Sequence, residues 1–128
     1  MCIFMTIYRM VVFFQNYYVS CSLILMFLIA SLSLSPLSEL PSVPGSDKAH
    51  HFVAYAALAF PLSVARPRLW LWGLLGFFGF SGVIELVQPY VNRYGEWTDL
   101  FANGLGLLMG AAAAHVILYL NRKQQPLS

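Results

Sequence analysis

The stretch EWTDLFANGLGLLMG, residues 96–110, decides the fold of this chain because it combines a membrane-like helix with polar residues. From Leu100 onward it is apolar enough to lie in lipid, yet Asp99 stands at its start and Asn103 lies one turn further in. Polar side chains are costly in hydrocarbon, and they usually face a bundle interior, a partner or a water-filled cavity. The stretch therefore predicts a membrane helix whose polar face is turned towards other helices.

The composition extends this conclusion to the rest of the chain. Of 128 residues, 59% are hydrophobic and 9% are charged, whereas about 25% are charged in ordinary globular proteins. A domain of this length cannot hide so much apolar surface in its own core, so most of it is expected to face lipid. The net charge of +2 is small and scattered, which argues against nucleic acid as a partner.

Cys2 and Cys21 both lie in the apolar N-terminal region and predict no disulfide or metal framework.

Four segments approach the roughly 17 to 25 apolar residues needed to cross a bilayer. The predicted spans are residues 12–34, 48–65, 69–88 and 99–120. The second span is short and contains Pro61, which predicts a smaller tilt or a kink there, and Pro89 ends the third span. The first apolar run is long for a signal peptide, so we expect it to remain as a helix. The predicted fold is an all-α bundle of four transmembrane helices, forming a single domain over residues 1–128.

The basic residues predict the orientation of this bundle, because they favour cytoplasmic loops. With four spans, one side holds Lys48 and Arg93 alone. The other side holds five basic residues, namely Arg9, Arg66, Arg68, Arg122 and Lys123. Both termini are therefore predicted to be cytoplasmic. The five acids then lie at or near the outer face; they are Glu39, Asp47, Glu85, Glu96 and Asp99.

Two other spans carry polar faces close to the predicted outer side. Asp47, His51 and Tyr55 are spaced four apart and share one face where the second helix begins. Glu85 and Gln88 lie three apart near the end of the third helix. Structural alternatives stay open, since Asp47 is also a suitable helix cap and His51 and Tyr55 are also typical of hydrogen-bonded interior groups.

The fourth span combines its polar face with small residues. Asp99, Asn103, Gly106 and Gly110 follow one another at i, i+4, i+7 and i+11, which places them on one face. Such small residues let membrane helices approach closely. An overlapping stripe is formed by Ala102, Gly106, Gly110 and Ala114, and the third span carries Gly73, Gly76, Gly79 and Gly82. Gly106 and Gly110 are therefore predicted to lie where the fourth helix packs closely against a neighbour. The glycines of the third span predict a similarly narrow helix there.

Three motifs in this order resemble the VanZ-like family. They are D-K-x-x-H-F-x-x-Y from Asp47 to Tyr55, E-x-x-Q from Glu85 to Gln88 followed by Arg93, and D-x-x-x-N-x-x-G from Asp99 to Gly106. The resemblance covers residues from about 30 to 115. It implies a multi-pass protein of the bacterial cytoplasmic (inner) membrane, whose namesake is linked to teicoplanin resistance. It implies no particular reaction.

The leading functional hypothesis is a binding site at the outer membrane interface. Its ligand would be amphipathic, for example a lipid-linked cell-envelope precursor whose tail lies along the glycine-thinned helices, and membrane lipids are the other expected partners. Basic side chains there suit phosphate or carboxylate groups. The candidate ligand-binding residues are Asp47, Lys48, His51, Tyr55, Glu85, Gln88, Arg93, Asp99 and Asn103.

Two other hypotheses stay open. In the first, the chain is a membrane-embedded hydrolase or transferase, with His51 as general base oriented by Asp47 or Asp99, and with Glu85 as acid or metal ligand. His, Glu and Asp are acceptable metal ligands, but their spacing here matches no diagnostic motif, so the sequence predicts no metal site and no particular cofactor. In the second, the polar network, including a Glu85–Arg93 ion pair, is a structural scaffold. The sequence leaves the oligomeric state open.

Overall fold

A computed structural model of the chain describes residues 1–35, 47–91 and 95–125, with the side chain of Asp47 excepted. Within these ranges the protein is all-α, which confirms the predicted class. The elements are α1 (Cys2–Ser33), α2 (Asp47–Ala65), α3 (Trp70–Val87), a short 3₁₀ helix (Gln88–Val91) and α4 (Trp97–Gln124).

Helix α1 begins well before the predicted start at residue 12. The preceding residues, CIFMTIYRMV, are mostly apolar and include no proline or glycine, so nothing in them ends a helix. With 32 residues, α1 is about 48 Å long at 1.5 Å per residue. A bilayer core is only about 30 Å thick, so part of α1 extends beyond it.

Three helices are long and apolar enough to cross a membrane: α1, α3 together with its 3₁₀ extension, and α4. Within the described part of the chain, helix α2 is less apolar and does not belong to this group. Its first turns carry Lys48, His50 and His51, which lower its hydropathy. It is also the most enclosed helix, since Leu58 and Ala59 are fully buried between neighbouring helices.

Helix α2 is continuous from Asp47 to Ala65 and includes Pro61. Pro61 therefore does not interrupt the helix. Neighbouring helices can support a proline in this way, and α2 packs against both α1 and α4. It ends at Ala65, because the next residue, Arg66, has a left-handed φ of 47° and the following Pro67 disfavours further helix.

The most extensive helix contact is between α2 and α4, and two glycines allow it. A Cβ atom at Gly106 would overlap the carbonyl oxygen of Phe52, and one at Gly110 would overlap that of Ala56. Ala114, further along the same face, is fully buried. The small-residue face of α4 therefore lies against the backbone of α2.

The glycines of α3 behave differently. A Cβ atom at Gly76, Gly79 or Gly82 would meet no other described atom within 4 Å. Only Gly73 lies against a neighbouring helix, with a Cβ position 2.6 Å from Leu62 Cδ2. The other three glycines of α3 therefore give the helix a narrow face, but no other described helix packs against that face.

Candidate functional site

Polar side chains from three helices meet at one end of the bundle, where α2 and α4 begin and α3 ends. Each helix contributes one face, because residues three or four apart lie above one another. The described residues at this end are Lys48, His51 and Tyr55 of α2, Glu85 and Gln88 of α3 and its 3₁₀ extension, and Glu96, Asp99 and Asn103 at the start of α4. We call His51, Glu85, Asp99 and Asn103 the polar cluster.

His51 is held between two residues of α4. Its Nδ1 lies 3.1 Å from Asn103 Oδ1, and its Nε2 lies 4.0 Å from Asp99 Oδ2. Because an amide oxygen only accepts hydrogen bonds, Nδ1 must carry the proton. In the neutral form of this imidazole the lone pair lies on Nε2, which faces the Asp99 carboxylate. Both side chains are nearly enclosed, with exposed fractions of 10% for His51 and 9% for Asp99.

Glu85 brings a second carboxylate to the same place. One ligand atom each from His51, Glu85 and Asp99 lie within 4.8 Å of one another. The backbone N–H of Glu96 donates to Glu85 Oε2 at 3.2 Å. This approach needs Gly95, because a Cβ atom there would lie 2.5 Å from the carbonyl oxygen of Glu85.

An ion pair lies at the exposed mouth of the cluster. Lys48 Nζ is 3.1 Å from Glu96 Oε2 and 3.7 Å from Asp99 Oδ1. The hydrogen bond from Lys48 lowers the pKa of Glu96 below its usual value, and a second one from Thr98 adds to the effect. Lys48 thus links the solvent-facing Glu96 to the enclosed Asp99.

Several buried polar atoms in this region lack a hydrogen-bond partner among the described residues. They include the Tyr55 hydroxyl, Gln88 Oε1 and Asn103 Nδ2. The three residues are each 1% exposed, and Tyr55 lies close enough to Glu85 for an electrostatic interaction. An unsatisfied buried polar group costs about 1–3 kcal/mol, so these atoms point to a missing partner.

Of the remaining predicted site residues, Gln88 is described in full, whereas Asp47 and Arg93 are not. Gln88 uses its amide to donate to the carbonyl oxygen of Ser33 at 3.1 Å, so it ties the end of α1 to this region. The side chain of Asp47 and all of Arg93 lie outside the described residues, and so does the suggested Glu85–Arg93 pair. Their roles remain predictions.

Sequence reasoning placed Glu96 near the outer face but did not predict that Glu96 and Gly95 contact Glu85. Both lie before α4, outside any helical repeat, so helical spacing gave no signal for them. Their positions depend on the approach of this segment to the end of α3, which is a tertiary contact.

An apolar cavity of about 680 Å³ lies elsewhere, between α1, α2 and α4. Gly110 lines it, whereas no residue of the polar cluster and no glycine of α3 does. Among its other lining residues are Phe14, Leu25, Val53, Phe60 and Met109. The cavity and the polar cluster therefore share no lining residue. A ligand tail that lay along the glycines of α3 would not occupy this cavity.

The sequence matches the family described as VanZ/LLP1 over residues 1–119, a range that includes all four residues of the polar cluster. No curated protein and no solved structure matches the chain.

Proposed function

This chain belongs to the VanZ/LLP1 family, and from that premise we propose that it binds the polar head of an amphipathic, lipid-linked cell-envelope component. The three apolar helices and the family make it a membrane protein. The head would enter at the end of the bundle that carries the polar cluster. The tail would remain among the membrane lipids.

The observation that carries the proposal is the set of buried polar atoms without partners. A hydrogen-bonded interior would satisfy the Tyr55 hydroxyl and the Asn103 amide, but neither has a partner among the described residues. A bound head group rich in hydroxyls would supply both donors and acceptors. The carboxylates of Glu85 and Asp99 accept from such hydroxyls, and Lys48 at the mouth suits a phosphate.

The topology that we propose puts this site on the outer face of the bacterial inner membrane. Helix α2 has 19 residues, or about 28 Å at 1.5 Å per residue, which is close to the thickness of a bilayer core. Since α2 is enclosed by its neighbours, it need not be as apolar as a lipid-facing helix. We therefore propose that it is the fourth span, with both termini cytoplasmic as the basic residues favour.

Tyr55→Phe tests the proposal, because it removes only the unpartnered hydroxyl. The protein would be purified in mild detergent, and its co-purifying lipids would be identified by mass spectrometry. We expect wild type to retain a lipid-linked envelope component and Tyr55→Phe to retain about tenfold less, which is about 1.4 kcal/mol of binding. Its melting temperature should stay the same or rise, because an unsatisfied polar group has been removed.

Tyr119→Phe is the matched control, since Tyr119 is exposed near the other end of α4. It should retain the same lipid as wild type. Equal lipid in wild type, Tyr55→Phe and Tyr119→Phe would contradict the proposal. Teicoplanin susceptibility of cells that express these variants is a second readout, because the namesake of the family is linked to resistance to that drug.

A hydrolase or transferase is the second candidate function, and the closeness of His51, Glu85 and Asp99 favours it. A general base needs a lone pair aimed at a substrate proton, which the Nε2 atom of neutral His51 offers. Turnover of a bound lipid-linked component by wild type, lost in His51→Gln, would support this candidate. Release of the same component unchanged would support binding alone.

A further inference from the structure

We infer that His51, Glu85 and Asp99 bind one divalent transition-metal ion of the zinc or manganese class, with Asn103 as the residue that positions His51. The inference does not rest on the proposed lipid ligand. It rests on the geometry, charge and tautomer of the polar cluster.

The distances fit three ligands of one ion. Ligand atoms about 2.1 Å from a tetrahedral zinc ion are about 3.4 Å apart. In the structure they lie within 4.8 Å of one another, so side-chain adjustments of about 1 Å would complete the site. One imidazole with two carboxylates suits zinc and manganese, because imidazole favours the former and carboxylates the latter.

The tautomer of His51 is the one that a metal ligand requires. Its Nδ1–H donates to Asn103 Oδ1 at 3.1 Å, so Nε2 presents a lone pair. Metal-bound histidines usually donate their other N–H to an oxygen in this way. The gap of 4.0 Å from Nε2 to Asp99 Oδ2 is too long for a hydrogen bond, but it leaves space for a bridging cation.

The charge balance also calls for a cation. Two carboxylates, Glu85 and Asp99, converge where the side chain of Asp99 is only 9% exposed. Lys48 is the described cation nearest to Asp99, and its ammonium is shared with Glu96. The enclosed carboxylate of Asp99 is unfavourable without a counter-charge close to it, and a divalent ion would supply one.

A second observation is the buried Tyr55 hydroxyl, which interacts electrostatically with Glu85 and has no hydrogen-bond partner among the described residues. Sites with three protein ligands usually keep a further position for water or substrate. A water molecule on the ion would give this hydroxyl its partner. The sequence shows no metal motif because the three ligands come from three helices rather than from one short segment.

The test is direct metal binding to the full chain in detergent. After treatment with a chelator and removal of lipid, the protein would be titrated with ZnCl₂ and, separately, with MnCl₂, and bound metal measured by elemental analysis. We expect one ion per chain, a higher melting temperature with metal and its reversal by the chelator. Asp99→Asn and His51→Gln should weaken binding by at least tenfold, and Asn103→Ala by about 10- to 100-fold.

His115→Gln is the matched control, because His115 lies further along α4, exposed and next to Arg66. It should bind metal as wild type does. Circular dichroism would check that each variant keeps its helices. Less than one ion per chain in folded wild type, or equal affinity in wild type and Asp99→Asn, would overturn the inference. Metal binding without any envelope lipid would leave the inference standing and contradict only the proposed function.

Discussion

Asp99 and Asn103 are the residues whose presence in an apolar helix needs a physical reason. Asn103 accepts a hydrogen bond from His51, and Asp99 faces the same imidazole and Lys48. Helical spacing was enough to place these residues on one face. It could not show the contact of Gly95 and Glu96 with Glu85, because that contact joins segments that no helical repeat relates.

At this scale we predict that Asn103→Leu destabilises the protein. The substitution removes the acceptor of the His51 N–H and leaves that donor buried, at a cost of about 1–3 kcal/mol. Thermal unfolding in detergent would measure the change. Asn121→Leu is the control, because Asn121 lies in the last turns of α4, and it should unfold near the wild-type temperature. Equal melting temperatures for the two variants would show that the His51–Asn103 contact contributes nothing.

At the scale of helices, the contact between α2 and α4 fixes the geometry of the polar cluster. The stripe of small residues in α4 predicted a close neighbour, and α2 is that neighbour. The same kind of stripe in α3 has no such neighbour at Gly76, Gly79 and Gly82. A small-residue pattern shows that another helix can come close to this face. The packing of the whole bundle decides which helix, if any, lies there.

Two glycine substitutions distinguish a glycine packed against α2 from a glycine of α3 that has no neighbouring helix. Gly110→Ala should destabilise the protein by about 1–3 kcal/mol, because the new methyl group would force α2 and α4 apart. Gly79→Ala should leave stability unchanged or raise it by up to about 1 kcal/mol, since alanine is the better helix former and the space there is open. Thermal unfolding of both variants checks this. A Gly79→Ala protein that is less stable than Gly110→Ala would mean that the wrong helix contact has been assigned.

At the scale of the whole molecule, composition predicted the membrane class and the all-α fold. It was less informative about α2, whose polar first turns give it lower hydropathy than the lipid-facing helices. Its burial between neighbours could not be read from composition, because burial depends on tertiary packing. The topology therefore rests on the basic residues and on the length of α2.

We predict that reporter fusions after Gln124 will be active in the cytoplasm and that fusions within residues 39–46 will be active outside it. Alkaline phosphatase and green fluorescent protein report the two sides separately. The basis is the five-to-two distribution of basic residues and the cytoplasmic preference of such residues. A C-terminus outside the cytoplasm would show that α2 does not cross the membrane or that the bundle is inverted.

The most direct test of whether the polar cluster is a ligand site or a scaffold is the lipid that co-purifies with Glu85→Gln, measured at a known melting temperature. The substitution keeps the shape of Glu85 and removes its charge. We predict that Glu85→Gln is as stable as wild type or more stable, because a neutral side chain is less costly to enclose, and that it loses the lipid-linked component. A Glu85→Gln protein that retains the component in wild-type amounts would contradict the binding site and leave the scaffold as the explanation of the cluster.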